Sequence, residues 1–102
     1  MATTTEQQQR AVRALGSVGA ALRDLPRVAA EWETLDDGEQ MSWAIQWSNE
    51  MAKLERLSRS AAEGSLVADQ DERYRQLVES ANSLAPVIRR LKLYRPRLPA
   101  SV

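Results

Sequence analysis

The sequence contains no cysteine and no histidine, and these two absences exclude several classes of active site. Without them the chain cannot build a zinc site with nitrogen and sulfur ligands, a Ser-His or Cys-His nucleophile pair, or the usual ligation of haem and iron–sulfur clusters. A di-iron carboxylate site is excluded as well, because its Glu-x-x-His pairs need histidine. We therefore expect no metal site and no cofactor. Disulfides are impossible, and a cytoplasmic location is expected because a reducing compartment suits such a chain.

Long apolar runs and a net charge are also missing. No run of 18 apolar residues occurs, so no membrane span is expected, and the polar first ten residues lack the apolar run of a signal peptide. Lys and Arg total 14 and Asp and Glu total 14, so the formal net charge is zero. A chain of 102 residues can bury one modest core but not two. The composition therefore predicts one domain.

The apolar residues recur at the three- and four-residue spacing of helix faces, and no segment alternates with the period of a strand. A first helix is predicted from about residue 4, with a Thr3–Glu6 capping box, to a corner at residues 36–38. Its apolar face keeps its phase across Pro26, which predicts a kink there or a division into two helices. Glycines at 16 and 19 suggest that a neighbouring backbone comes close.

The second predicted helix begins at Asp37, whose side chain pairs with Gln40 in a capping box. It ends near Glu63, before Gly64 supplies the left-handed terminating residue. Its apolar face is broad enough to contact two neighbouring helices, or one helix and another chain.

The third predicted helix begins with an Asp69–Glu72 capping box and runs to about Tyr94. Pro86 is predicted to kink it near Asn82 and Ser83. The short link before it makes the second and third helices antiparallel neighbours. The predicted fold is therefore an all-α, three-helix up-down-up bundle with proline kinks in helices 1 and 3.

The end of the chain is predicted to be an extended tail, because two prolines prevent the helix from continuing. We place the single helical bundle domain at residues 1–95 and the tail at 96–102. The tail holds a PxxP spacing, Pro96 to Pro99, which can dock in an aromatic groove as a polyproline helix. Two fixed residues in four make chance matches to this motif common.

Charge is distributed unevenly along the chain. Residues 31–50 carry six acidic and no basic residues, and residues 86–102 carry five basic and no acidic residues. Most of the first group forms a candidate acidic corner: Glu31, Glu33, Asp36, Asp37 and Glu39. The second group, with one aromatic ring, forms a candidate basic end: Arg89, Arg90, Lys92, Tyr94, Arg95 and Arg97.

The basic end has three interpretations. It could neutralise nucleic-acid phosphates while Tyr94 stacks on a base. It could simply complement the dipole of a helix C-terminus. It could also meet the acidic corner of a second copy. A neutral chain is unusual for a nucleic-acid binder, which favours the second and third interpretations.

Tryptophan is the other distinctive residue. Trp47 lies on the centre line of the second helix and is expected in the core. The edge of that apolar face and the preceding corner supply the candidate interface residues Met41, Trp43 and Trp32, because Trp and Met are enriched where proteins meet.

Paired carboxylates can do acid–base work, but they need a cleft that removes one of them from water. A helical bundle of this size has little room for one, so we expect no enzyme. The sequence predicts a non-enzymatic helical subunit for protein–protein interaction or assembly, with self-association expected. The alternative is a small accessory subunit of a nucleic-acid complex that contacts backbone phosphates through the basic end.

Overall fold

The computed structural model describes residues 4–98, and every regular element in that range is helical. The elements are α1 (Thr4–Glu31), a 3₁₀ turn (Trp32–Thr34), α2 (Asp37–Ala62), α3 (Ala68–Ser83) and α4 (Ala85–Arg90). The predicted all-α class is confirmed, and the four helices are consistent with a three-helix bundle whose last helix is divided. Thr3, the predicted cap of the first helix, lies outside the described residues.

Contacts between α1 and α2 show that these two helices run in opposite directions. Near the middle of both, Lys53 Nζ lies 3.2 Å from Ser17 Oγ. At the end of α1 and the start of α2, the rings of Trp32 and Trp43 meet with centroids 6.4 Å apart. The C-terminus of α1 and the N-terminus of α2 therefore share one end of the bundle.

Contacts between α1 and α3 show that these two helices run in the same direction. The Gln70 side chain donates from Nε2 to the Gln8 carbonyl oxygen at 3.1 Å, near the start of each helix. Further along, Leu77 approaches Gly19. The chain thus reaches α4 at the end of the bundle where α1 ends and α2 begins.

The core is formed by apolar residues that recur every three or four positions on α1, α2 and α3, together with Ile88 of α4 and two leucines that follow it. Its buried members are Leu15, Val18, Leu22, Leu25, Trp47, Met51, Leu54, Leu57, Tyr74, Leu77, Ala81, Ile88, Leu91 and Leu93. Burying one such large side chain contributes about 1.5–3 kcal/mol, so this cluster supplies the main driving force for folding. Within residues 4–98, no helix combines the length and apolar character needed to cross a membrane.

The start of α2 is capped one residue earlier than predicted. Asp36 Oδ1 accepts from the Glu39 backbone N–H at 2.8 Å, and Glu39 Oε1 accepts from the Asp36 N–H at 3.2 Å. Asp37 lies inside the helix and forms no box with Gln40, whose side chain donates to the Trp32 carbonyl oxygen at 2.8 Å. The capping box therefore has the predicted type but a register shifted by one residue.

The end of α2 matches the prediction. Gly64 has a φ of 74°, and its N–H donates to the Ala61 carbonyl oxygen at 3.1 Å. The next N–H, of Ser65, donates to the Ser60 carbonyl oxygen at 2.9 Å. These two bonds define a Schellman motif, and the left-handed glycine is confirmed.

The start of α3 differs from the prediction. The N-cap is Val67, and its N–H lies 3.4 Å from Gln70 Oε1. Asp69 instead lies in the first turn, where its negative charge interacts favourably with the helix dipole. The predicted Asp69–Glu72 capping box is therefore wrong.

The two interior prolines have different consequences. α1 continues through Pro26 as one helix and is not divided. Near Pro86 the chain does divide, because α3 ends at Ser83 and α4 begins at Ala85, with Leu84 between them. Pro86 lacks an N–H and sits in the first turn of α4, where a missing donor costs least. The prediction of one helix running to Tyr94 is therefore wrong.

The glycines of α1 do not mark the approach of a neighbouring backbone. A Cβ added at Gly19 would meet only side-chain atoms, the nearest being Leu77 Cδ2 at 3.6 Å, and one added at Gly16 would meet nothing within 4 Å. The expectation of a close backbone is therefore wrong at both positions.

We expect Gly16→Ala to raise the free energy of unfolding by about 0.5–1 kcal/mol, because alanine loses less backbone entropy in a helix interior. Urea unfolding followed by circular dichroism measures this change. Gly64→Ala is the matched control. It should lower stability, because an alanine Cβ disfavours a φ of 74°. A loss of stability in Gly16→Ala would contradict the open space around that position.

Candidate functional site

An exposed apolar surface lies near the start of α2. The Met41 and Ile45 side chains, one helical turn apart, are 63% and 55% exposed. Asp37 precedes Met41 by one turn on the same side of the helix and is also exposed. We call Asp37, Met41 and Ile45 the α2 patch. Met41 was predicted from the sequence as an interface residue and Ile45 was not, although the four-residue spacing was a signal for the pair.

The other interface candidates, Trp32 and Trp43, are half-buried and pack against the core. Their rings meet edge to face at an interplanar angle of 83°. Trp43 also stacks on the buried Trp47, with centroids 5.6 Å apart and an angle of 17°. The three tryptophans therefore form one cluster that closes the end of the α1–α2 interface.

The acidic corner and the α4 part of the basic end lie at the same end of the bundle. All five corner residues are exposed, and so are all six basic-end residues. The ion pairs of residues 4–98 are Arg27–Asp24, Lys53–Glu50 and Arg75–Asp71, so no described pair joins the two groups. This end of the molecule therefore presents unpaired charges of both signs.

The chain after α4 turns back onto α2. Lys92 adopts a left-handed φ of 58°, and the Leu93 N–H donates to the Ile88 carbonyl oxygen at 3.0 Å, a second Schellman motif. Leu93 is buried and Leu98 is half-buried against the core. We call residues 92–98 the C-terminal segment.

Two side chains of α2 hold the C-terminal segment. Trp47 Nε1 donates to the Tyr94 carbonyl oxygen at 2.8 Å. Glu55 Oε2 accepts from the Tyr94 hydroxyl and from the Arg97 N–H, both at 2.7 Å. The hydroxyl of Tyr94 and the backbone of Arg97 are therefore engaged within the molecule. The PxxP motif overlaps this segment, and its second proline, Pro99, lies outside the described residues.

The electrostatics of this contact favour an ionised carboxylate. The Arg97 backbone N–H lowers the pKa of Glu55 most, and the Tyr94 hydroxyl and nearby guanidinium charges also lower it, against a smaller opposing effect of partial burial. The same hydroxyl bond raises the pKa of Tyr94. Because the pKa of Glu55 is depressed on folding, its stabilising contribution is present above the ordinary pKa of 4.5. That contribution is lost as the pH falls through the folded-state pKa.

A groove of about 680 Å³ runs between α1 and α2, at the end of the bundle away from the tryptophans. Its lining combines cationic side chains with a partly apolar floor, and we call it the α1–α2 groove. The cationic side chains are Arg10, Arg13, Lys53 and Arg56, and the floor includes Ala11, Ala14, Leu57 and Leu66. The groove was not predicted from the sequence, because each helix contributes only two cations and the register of the helices is needed to combine them.

A polar network crosses the same helix interface. The Ser17 hydroxyl donates to Glu50 Oε2, and Lys53 Nζ donates to Glu50 Oε1 at 2.8 Å and to Ser17 Oγ at 3.2 Å. A Ser-Lys pair can support nucleophilic catalysis when the amine accepts the hydroxyl proton. Here the Lys53 ammonium donates to both partners and the Ser17 hydroxyl donates to Glu50, so the network joins two helices and Lys53 does not accept the Ser17 proton.

The described part of the chain shows no other chemical centre. Among residues 4–98, no group of three or more acidic side chains is placed to hold a metal ion. Comparison with protein families, curated proteins and solved structures finds no match for this chain. Its function is therefore inferred from its surfaces.

Proposed function

We propose that this protein is a non-enzymatic assembly subunit that self-associates through the α2 patch. The exposure of Met41 and Ile45, two large apolar side chains one turn apart on a regular helix, carries the proposal. Removing apolar surface from water contributes about 25 cal/mol per Å², and methionine is enriched at protein interfaces. A rigid helix also presents both side chains without the entropic cost of ordering a loop.

The charge distribution favours protein association over the nucleic-acid alternative. The five basic residues of the basic end would attract a polyanion, but the five exposed carboxylates of the acidic corner would repel it. Tyr94, the ring proposed to stack on a base, has its hydroxyl bonded to Glu55. The exposure of the basic side chains supports nucleic-acid binding, which the second of the contradicting results given below would establish.

The first test is a double variant, Met41→Glu with Ile45→Glu. We expect sedimentation of the wild type at about 10–100 μM to show a dimer or larger species, and the variant to sediment as an 11.4 kDa monomer. Both positions are exposed, so the free energy of unfolding should change by only about 0.5 kcal/mol per substitution. Val12→Glu is the matched control, since Val12 is 59% exposed on α1 and should leave association unchanged.

Two results would contradict the proposal. One is a wild type that remains monomeric over this concentration range. The other is binding of duplex or single-stranded nucleic acid near physiological salt that is lost in Arg89→Gln with Arg90→Gln while oligomer size is unchanged. The second result would establish the nucleic-acid alternative, whose affinity should also fall steeply with added salt.

A further inference from the structure

We infer that the α2 patch of one copy docks in the α1–α2 groove of a second copy. This inference rests on the proposed self-association and identifies the partner surface. The patch and the groove are separate surfaces of the same chain, so the contact joins two different surfaces rather than two identical ones.

The groove has the form of a receptor for a helix. α1 and α2 run in opposite directions on either side of it, and a third helix can lie along such a pair as in a helical bundle. The floor on the α1 side is formed by Ala11 and Ala14, which are half-buried. Small side chains at a contact allow closer approach of the helix axes. Leu57 and Leu66 extend the apolar floor on the other side.

The rim of the groove carries positive charge that is not neutralised within the described chain. Arg10, Arg13 and Arg56 are exposed, and none belongs to an ion pair among residues 4–98. Lys53 is paired with Glu50. The acidic residue that lines the groove is Glu63. Three guanidinium groups are therefore available to carboxylates of a ligand. Arginine binds a carboxylate strongly because two parallel N–H groups can donate to its two oxygens.

The α2 patch has the complementary character. Its apolar residues, Met41 and Ile45, match the apolar floor, and Asp37 lies one turn before them. Residues 37–50, the part of α2 that carries the patch, contain Asp37, Glu39 and Glu50 and no basic residue. This part of the helix therefore brings negative charge to the groove. A contact between two α2 patches would instead bring acidic segments near each other. Charge complementarity therefore favours the groove as the partner of the patch.

Complementation between two defective variants tests this inference. The patch variant, Met41→Glu with Ile45→Glu, keeps an intact groove. The groove variant, Arg13→Glu with Arg56→Glu, keeps an intact patch. Each variant alone should associate at least tenfold more weakly than the wild type. Mixed in equal amounts, they should form a heterodimer of twice 11.4 kDa, held by the one contact that remains intact.

A double reversal outside the groove controls for changed net charge. Arg89→Glu with Arg90→Glu on α4 makes the same change in charge and should leave self-association within about twofold of the wild type. If this pair disrupts self-association while the groove variant associates like the wild type, the contact belongs to the basic end and the inference is overturned.

The remaining outcomes separate the inference from the proposed function. If the wild type self-associates but the mixture of the two variants stays monomeric, the groove is not the partner and the α2 patch remains the proposed interface. If the groove variant alone associates like the wild type, the inference also fails. A wild type that remains monomeric would contradict both the docking inference and the proposed self-association.

Discussion

Leu54→Ala is expected to lower the free energy of unfolding by about 2–5 kcal/mol. Leu54 is 0% exposed, in the middle of the α2 face that packs on the rest of the bundle. The substitution removes the transfer free energy of the deleted atoms and leaves a cavity that rigid helices cannot fully close. A domain of this size has only about 5–15 kcal/mol of stability, so the loss is a large fraction of the total.

Urea unfolding of the wild type, Leu54→Ala and Leu77→Ala measures this effect. Leu77 is 8% exposed and faces Gly19, so its cavity is partly open to relaxation and water. We expect Leu77→Ala to cost less than Leu54→Ala, toward 2 kcal/mol, with similar dependence on urea in all three proteins. A cost under about 1 kcal/mol at Leu54 would mean that the core face of α2 is assigned wrongly.

The helices and their core faces were predictable because their signals are local. The helical spacing from Val12 to Leu25 predicts the buried face of α1 without reference to any partner. Val12 itself is 59% exposed, and the other members of that face are buried: Leu15, Val18, Leu22 and Leu25. The left-handed end of α2 was equally predictable, because glycine is the residue that adopts a positive φ without steric cost.

The errors at helix ends arise where two neighbouring residues satisfy the same pattern. Asp36 with Glu39 and Asp37 with Gln40 both fit a capping box. In the structure Asp36 and Glu39 form the box, and the Gln40 side chain donates to the Trp32 carbonyl oxygen in the preceding 3₁₀ turn, a contact that the local pattern does not encode. At Pro86, the phase of the apolar pattern could not distinguish one kinked helix from two helices that share Leu84 as a cap.

The candidate surfaces were less predictable because they depend on contacts between distant residues. The groove requires the register of α1 against α2, which no local pattern encodes. The burial of Trp43 depends on the rings of Trp32 and Trp47, which pack against it. Ile45, two residues later, is left exposed. The sequence placed all of these residues on or beside one broad apolar face but could not divide that face between core and surface.

The C-terminal segment shows the same limit most clearly. The prolines at 96 and 99 indicate a non-helical tail, which the structure shows at residues 96–98, but residues 92–94 were predicted to be helical and are not. Neither prediction indicates that the segment returns to α2. The bond from Trp47 to the Tyr94 carbonyl oxygen spans 47 positions in the chain. Trp47 therefore has two roles, one in the core and one in holding this segment, and substitutions can separate them.

Trp47→Ala is expected to lower the free energy of unfolding by about 3–5 kcal/mol. Trp47 is 1% exposed, its ring stacks on Trp43, and its indole N–H holds Tyr94. The alanine variant loses the buried ring, the stacking and the hydrogen bond together. Trp47→Phe keeps an aromatic ring in the core but removes the donor, so it should cost less, about 1–3 kcal/mol.

Denaturant unfolding gives the two costs, and hydrogen exchange of residues 92–98 reports whether the C-terminal segment is still held. Loss of the donor should speed exchange of the Arg97 N–H in Trp47→Phe, because one of the two α2 side chains that bind the segment no longer does so. Exchange at the Leu54 N–H, in the middle of α2, is the internal reference for global unfolding and should speed only by the factor that the measured unfolding cost gives. Equal costs for Trp47→Phe and Trp47→Ala would mean that the ring contributes nothing beyond the hydrogen bond. Unchanged exchange in both variants would mean that the segment is held by its other contacts, those of Glu55, Leu93 and Leu98.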